Sequence, residues 1–330
     1  MPRYTRCLVT GGAGVIGSHL VDALRARGSE VTVLDNLTTG KHANIAAHTE
    51  GPGFRLVQGD ILDQELVDRL VADHEVVYHL AAAVGVKHIV NDPLGSVLAN
   101  VRGTEHVLAS AFRSGTPVLI ASTSEIYGRN LAPPFAEDSE RVLGPTWVHR
   151  WSYSTAKAID EHLGFAYSAK GLPVTIVRYF NSYGPRIDES GYGTVVARFA
   201  SQALSGRPLT VHGDGAQTRC FTYVADTVRG TILAAEMPAA NGKVFNIGST
   251  EEVSIAQLAE LVQEIAGRGP GVERVSYETY YGPGFEDTMR RVPDVRRAVE
   301  VLGFRAETPL REGLRRTIEW CASNYAASRS

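Results

Sequence analysis

A glycine-rich turn between a short apolar run and a helical pattern constrains this chain more than any other feature. The apolar run covers 7–10, the helical pattern covers 15–27, and TGGAGVIG joins them. Glycines spaced GxxGxxG allow a tight turn, a close backbone approach to a pyrophosphate, and close packing of helix on strand. The start of the helix adds N–H groups and a positive dipole end, which attract phosphates. The pattern predicts a dinucleotide site, against the alternative of a turn that serves packing alone. The predicted contacts are Gly11, Gly14, Val15 and Ile16.

Strands and helices alternate through the first half of the chain. Short apolar runs occupy 7–10, 31–35, 54–58, 76–80, 118–121 and 174–179, and further helical patterns fill 93–113 and 153–170. Continuous apolar strands that alternate with helices are typical of a parallel sheet covered on both faces. The sequence therefore predicts the α/β class, with a doubly wound Rossmann sheet.

The rhythm loosens after about residue 184. Helical patterns at 193–205, 224–236, 254–266 and 310–325 are separated by loops rich in glycine and proline, with strand-like runs at 209–211 and 244–247. We predict an NAD-binding domain over 1–183, joined by interleaved segments at about 213–250. The remainder, 184–330, is predicted to form a smaller α/β lobe that closes over a substrate.

Composition narrows the possible partners. Hydrophobic residues make up 44% of the 330 residues and charged residues 21%, and the net charge of −3 gives no reason to expect nucleic acid or a membrane surface. Cys7, Cys220 and Cys321 lack the spacing of a disulfide framework or a zinc site, and the ten histidines form no ligand cluster. No segment is long and apolar enough to span a membrane. We therefore expect no metal and a cytoplasmic location.

A carboxylate ends the second predicted strand. Asp35 stands where a carboxylate accepts hydrogen bonds from an adenosine ribose diol and repels a 2′-phosphate. This position predicts NAD rather than NADP, unless Asp35 is only a turn residue before Asn36. The ends of the third and fourth strands add Asp60, Ile61, Leu80, Ala81 and Ala82 as predicted cofactor contacts.

Tyr153 and Lys157 lie four residues apart, and so share one face of a predicted helix. A phenol acts as a base near neutrality only if its pKa falls by about 3 units from about 10, and a lysine ammonium and an oxidised nicotinamide both lower it. Such a pair is often an ordinary feature of a solvated helix. Here it accompanies Ser122, Thr123 and Ser124 at the end of the fifth strand, whose hydroxyls can bind the same sugar oxygen.

Segments along nearly the whole chain match one known family. They are TGGAGVIGSHL, LDN at 34–36, GDI at 59–61, HLAA at 79–82, ASTSEIYG at 121–128, YSTAK at 153–157, RYFNSYGPR at 178–186, HGDGAQTRCFTYVAD at 212–226, FNIG at 245–248 and RRVPD at 290–294. On these segments the chain resembles the extended short-chain dehydrogenase/reductases that act on nucleotide sugars. The resemblance implies NAD in the N-terminal lobe, a nucleotide sugar in the C-terminal lobe, and a homodimer joined through helices such as 93–113 and 153–170.

The resemblance also implies a chemistry, the transient oxidation of the sugar at C4. Tyr153 removes the proton of the 4-hydroxyl, assisted by Lys157, while a hydride passes to NAD⁺. Further cofactor contacts that the resemblance implies are Asn36, Val84, Asn100, Ser122, Tyr153, Lys157 and Tyr179.

Thr123-Ser124-Glu125 distinguishes among the reactions of that family. Sugar 4,6-dehydratases have Asp-Glu after the threonine, and Ser124 replaces that aspartate here. Simple 4-epimerases generally lack a carboxylate at the Glu125 position. The decarboxylases of UDP-glucuronic acid have Thr-Ser-Glu, and also the QxR segment present here as Gln217-Thr218-Arg219. The resemblance therefore predicts decarboxylation to UDP-xylose, the 4-keto pentose, or both.

Substrate contacts follow from the same resemblance. Arg219 positions the sugar carboxylate, donates the proton that quenches the enolate at C5 after CO₂ has left, or contacts the diphosphate, and the sequence does not choose between these roles. Asn181 and Arg291 match positions that touch the UDP phosphates or ribose, and positive charge suits a diphosphate. The complete predicted substrate set is Thr123, Ser124, Glu125, Asn181, Arg219 and Arg291.

Two alternatives remain open at this stage. Residues 149–153 read HRWSY, whereas many decarboxylases that form UDP-xylose have Gly-Pro-Arg-x-x-Tyr-Asp at this place. This departure resembles a bacterial decarboxylase branch, but also uncharacterised epimerase-like proteins, so a UDP-sugar 4-epimerase is the second hypothesis. A protein that binds NAD without chemistry is the remote one, since such proteins often lose the Tyr/Lys pair.

Overall fold

The glycine turn lies between the first strand and the first helix. The computed structural model describes residues 2–84, 92–188, 194–269, 271–276 and 288–325. Strand β1 spans Arg6–Thr10 and helix α1 spans Val15–Ala26. Along β1, Cys7 and Val9 belong to one apolar cluster and Leu8 belongs to another. The strand is therefore buried on both faces, as the continuous apolar run predicts.

A seven-stranded parallel sheet forms the centre of the described structure. Its further strands are β2 (Glu30–Asp35), β3 (Phe54–Gln58), β4 (Val76–His79), β5 (Val118–Thr123), β6 (Val174–Tyr179) and, from much later in the chain, β11 (Lys243–Ile247). The strand order is β11-β6-β5-β4-β1-β2-β3. The chain leaves β1 toward β3 on one side and returns to β4 on the other. In such sheets ligands bind at this switch point, beyond the carboxyl ends of the strands.

Three further helices follow strands β3, β4 and β5 and connect each of them to the next strand of the sheet. They are α2 (Gln64–Ala72), α3 (Pro93–Ser114) and α4 (Ser152–Ala169). The side chain of Asp92 caps α3 by accepting from the N–H of Gly95 at 2.9 Å, and Gly115 ends the helix at φ 71°. At positive φ every residue other than glycine is strained, so the glycine marks the end of the helix. The capping aspartate marks its start, and both ends are therefore set by local sequence.

The rest of the chain builds a second layer of helices and small sheets. Its elements are β7 (Ser182–Tyr183), α5 (Val195–Leu204), β8 (Leu209–His212), β9 (Thr218–Cys220), β10 (Thr222–Tyr223), α6 (Val224–Glu236), β12 (Glu252–Ser254), α7 (Ile255–Ile265), β13 (Val272–Val275), β14 (Arg290–Arg291), α8 (Arg296–Leu302) and α9 (Leu310–Tyr325). Strands β12, β9 and β14 form one small sheet, β8 pairs with β13, and β7 pairs with β10. The first of these sheets brings two arginines to the edge of the central cleft.

The predicted fold class is confirmed, and the strands at 54–58 and 174–179 and the helices at 224–236 and 310–325 have their predicted bounds. Strand β11 comes from the predicted interleaved segment 213–250 and pairs with β6. The division at residue 183 stays a prediction. No helix in the described ranges combines the length and the apolar character needed to cross a membrane.

Candidate active site

A cavity of about 750 Å³ opens at the carboxyl ends of the sheet strands. It reaches from the glycine turn to the small sheet that carries β9 and β14. Predicted site residues that line it are Gly11, Gly14, Val15, Ile16, Asp35, Asn36, Asp60, Ile61, Leu80, Ala81, Ala82, Val84, Ser122, Glu125, Tyr153, Tyr179, Asn181, Arg219 and Arg291. The structure thus brings the two predicted groups, cofactor and substrate contacts, into one continuous space.

The glycine turn has the shape of a phosphate cradle. A Cβ on Gly11, which has φ +71°, would lie 2.7 Å from the backbone nitrogen of Ala81, and a Cβ on Gly17 would lie 2.1 Å from the carbonyl oxygen of Gly11. Gly14 begins α1 with no side-chain cap, so the first N–H groups of the helix face the cavity unshielded. These residues fit a dinucleotide whose pyrophosphate lies against the helix.

Asp35 is held in place by two backbone groups. Its Oδ2 accepts from the N–H of Ala13 at 2.9 Å and its Oδ1 accepts from the N–H of Leu37 at 2.8 Å. Each carboxylate oxygen keeps a further lone pair for a ribose hydroxyl. Beside it, Asn36 donates to Oδ2 of Asp60 at 2.9 Å, which ties the ends of β2 and β3 together at the cavity wall.

Four predicted site residues lie behind the cavity wall. Asn100 is buried and accepts from the N–H of Ala83 at 2.7 Å, so it supports the backbone that follows β4. Thr123 accepts from the N–H of Glu125 at 3.2 Å, and Ser124 is buried at the start of a 3₁₀ turn, Ser124–Tyr127. Lys157 is buried as well. Their predicted roles stay predictions.

Tyr153 and Lys157 lie on the first turns of α4. The ammonium of Lys157 donates to Oδ2 of Asp160 at 2.7 Å, and both side chains are buried. Burial raises the pKa of the Tyr153 phenol well above its usual range, and the negative charges of Glu125 and Asp160 raise it further. A hydrogen bond with Thr123 acts in the opposite direction. The protein's own groups therefore keep this phenol protonated, mainly because it is buried, and Asp160 adds a negative charge beside the ammonium of Lys157.

A buried ionic network fixes the end of β5 from behind. Ser122 donates to Oε1 of Glu161 at 2.6 Å, and Arg178 forms two hydrogen bonds with the same carboxylate, at 2.9 and 2.7 Å. Arg178 also donates to the hydroxyl of Tyr127 at 2.9 Å, and that hydroxyl donates to Asn246 at 2.7 Å. The network links β5, α4, β6 and β11, so the strand end that carries Thr123 is held rigidly.

Glu125 lies at the cavity wall among three arginines. Arg150 forms a bidentate pair with it, from Nη1 to Oε2 and from Nη2 to Oε1, the latter at 3.1 Å. Nη1 of Arg291 lies 3.6 Å from Oε1. Burial raises the pKa of Glu125, but Arg150, Arg291 and Arg219 outweigh that effect and hold it at about 2. Glu125 is therefore an anion at any physiological pH.

Arg150 is a site residue that the sequence patterns did not predict. It lines the cavity, is buried, and lies in the turn His149–Trp151 immediately before α4. The available signal was its place three residues before Tyr153, since a turn that leads into the tyrosine helix must pass close to the reacting group. Nothing in the sequence paired it with Glu125.

Arg219 and Arg291 are neighbours on parallel strands. β14 pairs with β9 in the register Arg291↔Arg219, which places the two side chains side by side at the cavity. Nη1 of Arg219 donates to the carbonyl of Thr218 at 2.8 Å. Nearby, Asn181 donates to the carbonyl of Cys220 at 2.9 Å. This half of the cavity is positively charged, as an anionic ligand requires.

The described residues contain no cluster of three or more histidine, cysteine, aspartate or glutamate side chains placed to hold a metal ion. The polar groups at the cavity include hydroxyls, amides, an imidazole, arginines and carboxylates such as those of Asp35 and Glu125. Such a set binds phosphates and sugars through hydrogen bonds and ion pairs.

Comparison with known proteins gives the same picture. The family model "NAD dependent epimerase/dehydratase family" matches residues 7–248. A UDP-N-acetyl-alpha-D-glucosaminuronate decarboxylase of Bacillus cytotoxicus is 43% identical over 316 residues, which cover 96% of this chain and 97% of that protein. UDP-glucuronic acid decarboxylase 1 of Xenopus tropicalis is 37% identical over 316 residues, covering 96% of this chain and 72% of its own. A solved UDP-glucose 4-epimerase of Thermus thermophilus in complex with NAD is 34% identical, with a TM-score of 0.82 and coverage of 96% of this chain and 98% of that one.

Proposed function

Since this chain belongs to the NAD-dependent epimerase/dehydratase family, we propose that it decarboxylates UDP-glucuronic acid through a 4-keto intermediate, giving UDP-xylose, the 4-keto pentose, or both. The observation that carries this proposal is an ionised Glu125 at the wall of the cavity, beside Tyr153 and among arginines. The chain's relatives at 43% and 37% identity, named as decarboxylases of UDP-linked uronic acids, support it.

NAD is the cofactor. The glycine cradle and the uncapped start of α1 would hold its pyrophosphate, and Asp35 would hold its adenosine ribose. When bound there, NAD⁺ would supply the hydride acceptor for oxidation of the sugar at C4 and the hydride donor for the final reduction to UDP-xylose, and its positive charge would favour ionisation of Tyr153.

Tyr153 holds the proton that is exchanged with the sugar 4-hydroxyl. Its phenol lies at the cavity wall, where a sugar hydroxyl can reach it, and the hydroxyl of Thr123 lowers its pKa. The negative charges of Glu125 and Asp160 oppose its ionisation, and added positive charge at the cavity favours it. Proton removal by Tyr153 is therefore coupled to the charge state of the filled site.

Glu125 acts on the next step. Oxidation at C4 makes the uronic acid a β-keto acid, in which the bond from C5 to the carboxylate breaks and its electron pair forms an enolate. A negative charge on Glu125 beside the substrate carboxylate is relieved when neutral CO₂ leaves. Arg219 and Arg291, side by side, position that carboxylate or the diphosphate. A proton added at C5 then converts the enolate to the 4-keto pentose.

The substituent at C2 of the sugar is open to direct test. The relative at 43% identity is named for an N-acetylated uronic acid, whereas the Xenopus relative is named for UDP-glucuronic acid. Both substrates have the carboxylate and the 4-hydroxyl that the site addresses. Incubation of the protein and NAD⁺ with each substrate in turn, at matched concentrations, gives the ratio of kcat/KM and identifies the preferred one.

The competing function is 4-epimerisation, which the Thermus structure represents at 34% identity. Release of CO₂ and a product lighter than the substrate, measured by mass spectrometry, would establish decarboxylation. A product of unchanged mass from the uronic acid would overturn the proposal in favour of an epimerase. Turnover of UDP-glucose without turnover of either uronic acid would exclude a uronic acid as substrate.

We further propose that the chain is a homodimer in the cytoplasm. Helices α3 and α4 pack side by side and carry the exposed apolar side chains Phe112, Ile159 and Phe165. An apolar patch of this kind is typical of a subunit interface. The three cysteines, at positions 7, 220 and 321, are buried and form no disulfide, as a reducing compartment favours. Light scattering would show the mass of a dimer, and Phe165→Lys should shift it to that of a monomer.

A further inference from the structure

The arginines around Glu125 are not equivalent. Arg150 contacts both carboxylate oxygens of Glu125 with both terminal nitrogens, whereas Arg291 approaches a single oxygen at 3.6 Å. Arg150 also stacks on the buried ring of Trp151, with its guanidinium carbon 5.5 Å from the ring centroid. A planar guanidinium held by a ring and by two hydrogen bonds has one orientation.

The groups that face Glu125 come from every element around it. Arg150 lies in the turn before α4, Arg291 on β14 and Arg219 on β9, and the phenol of Tyr153 lies on α4. The arginines stabilise the charged carboxylate, and burial opposes it. Since Arg150 provides the bidentate contact, its removal should destabilise the ionised form of Glu125 more than the removal of Arg219 or Arg291 does.

We propose that Arg150 is the positioning residue that keeps Glu125 ionised and aimed at the sugar, so that Glu125 acts through its negative charge and never as the proton donor. The inference deepens the proposed function and rests on it for the role of that charge. The arginines then have separate roles, since Arg150 holds Glu125 while Arg219 and Arg291 hold the anionic substrate.

The test removes Arg150 and follows the protonation of Glu125. In Arg150→Met the half-buried carboxylate of Glu125 loses its bidentate partner, and we expect it to take up a proton with a midpoint between about pH 5 and 7. Infrared difference spectra against the double variant Arg150→Met/Glu125→Gln should then show a protonated carboxyl band at pH 5 that disappears by pH 8. The wild type should show no such band over this range.

The rate of CO₂ release provides the second readout. We expect Arg150→Met to gain an acidic limb in kcat over the same pH range, with at least a tenfold loss at pH 5.5 and partial recovery at pH 8. The KM for the uronic acid should change less than kcat. Loss of Arg150 also affects the pKa of Tyr153, so the double variant Arg150→Met/Glu125→Gln is the control here as well. An acidic limb that is due to Glu125 disappears in the double variant, whereas a limb that is due to Tyr153 persists.

Two further variants complete the design. Arg129 stacks near the same ring, 5.9 Å from the centroid of Trp151, so Arg129→Met removes an equal charge and leaves the bidentate pair in place. It should keep the wild-type pH profile. Arg150→Lys keeps a charge but not the fork, and should shift the limb in the same direction by less. If Arg150→Met does not fold, Arg150→Lys alone decides the result.

A Glu125 that stays ionised at pH 5 in both Arg150 variants would overturn the inference. So would a rate loss that is equal at all pH values, because that pattern belongs to a purely structural role. The spectra need no turnover, so they test Arg150 even if the wild type releases no CO₂, a result that would refute the proposed function instead.

Discussion

Alanine substitutions at two glycines of the glycine turn should separate an effect on cofactor binding from an effect on folding. Gly14 has φ −72°, an ordinary value for any residue, and a Cβ there would meet the oxygen of Gly11 at 3.3 Å. Gly17 is different, because its Cβ would lie 2.1 Å from the same backbone oxygen. The two positions lie about one helical turn apart, yet alanine at the first should weaken NAD binding, whereas alanine at the second should destabilise the fold.

We expect Gly14→Ala to fold with the stability of the wild type to within about 1 kcal/mol, since the mild contact is offset by the lower entropy of the unfolded chain. Its methyl group enters the cavity where the pyrophosphate approaches the helix. Loss of one hydrogen bond to a charged group costs about 1.5–3 kcal/mol, which weakens NAD binding roughly tenfold to a hundredfold. Gly17→Ala should instead lose about 3 kcal/mol of the free energy of unfolding, because the overlapping atom is backbone.

Urea unfolding followed by circular dichroism measures the free energy of unfolding, and calorimetric titration with NAD⁺ measures the affinity for the cofactor. Gly51→Ala is the matched control, since its Cβ would lie 3.7 Å from the nearest atom, the oxygen of His48, on an exposed loop. If Gly14→Ala binds NAD as tightly as the wild type, the cofactor does not approach the helix at this point, and the assignment of the cradle is wrong.

The remaining predictions concern the reaction and the buried network. Tyr153→Phe should abolish sugar oxidation, seen as the absence of NADH absorbance in a single turnover, while calorimetry shows unchanged NAD binding; full turnover would refute the role of the phenol. Glu125→Gln should slow CO₂ release more than NADH formation, and equal slowing of both would assign Glu125 to the first step. Arg178→Met leaves Glu161 buried without its bidentate partner and should lower the free energy of unfolding by about 3–5 kcal/mol in urea. The exposed pair formed by Arg315 is the control, because Arg315→Met should cost less than about 1 kcal/mol.

The parts of the fold that follow from local sequence were predictable. Strands β3 and β6 are rich in apolar and β-branched residues, and α3 is bounded by Asp92 and Gly115, so each signal lies within the element or directly beside it. Helix α2 was missed although Asp63 caps it by accepting from the N–H of Leu66 at 3.0 Å. Its apolar face is short, and a capping aspartate before nine residues is a weak signal without tertiary context.

Part of the candidate site could be predicted from local sequence, and part of it could not. The glycine turn, Asp35 and the Tyr153/Lys157 pair are local patterns whose chemistry can be inferred from spacing. The pairing of Glu125 with Arg150 and that of Lys157 with Asp160 depend on side-chain orientation. Lys157 illustrates the limit: its spacing from Tyr153 predicts a lowered pKa for the phenol, and only the structure reveals the burial that raises this pKa and the carboxylate paired with the lysine.

Strand β11 has a consequence for how the polypeptide is made. All six residues of β6 are buried, and β6 obtains its outer partner only when Lys243–Ile247 pairs with it. A nascent chain that has left the ribosome only as far as residue 183 therefore exposes a long apolar edge, which invites pairing with other chains. Truncation after the predicted first lobe should accordingly yield an aggregating fragment, and synthesis of the second half is part of protecting the first.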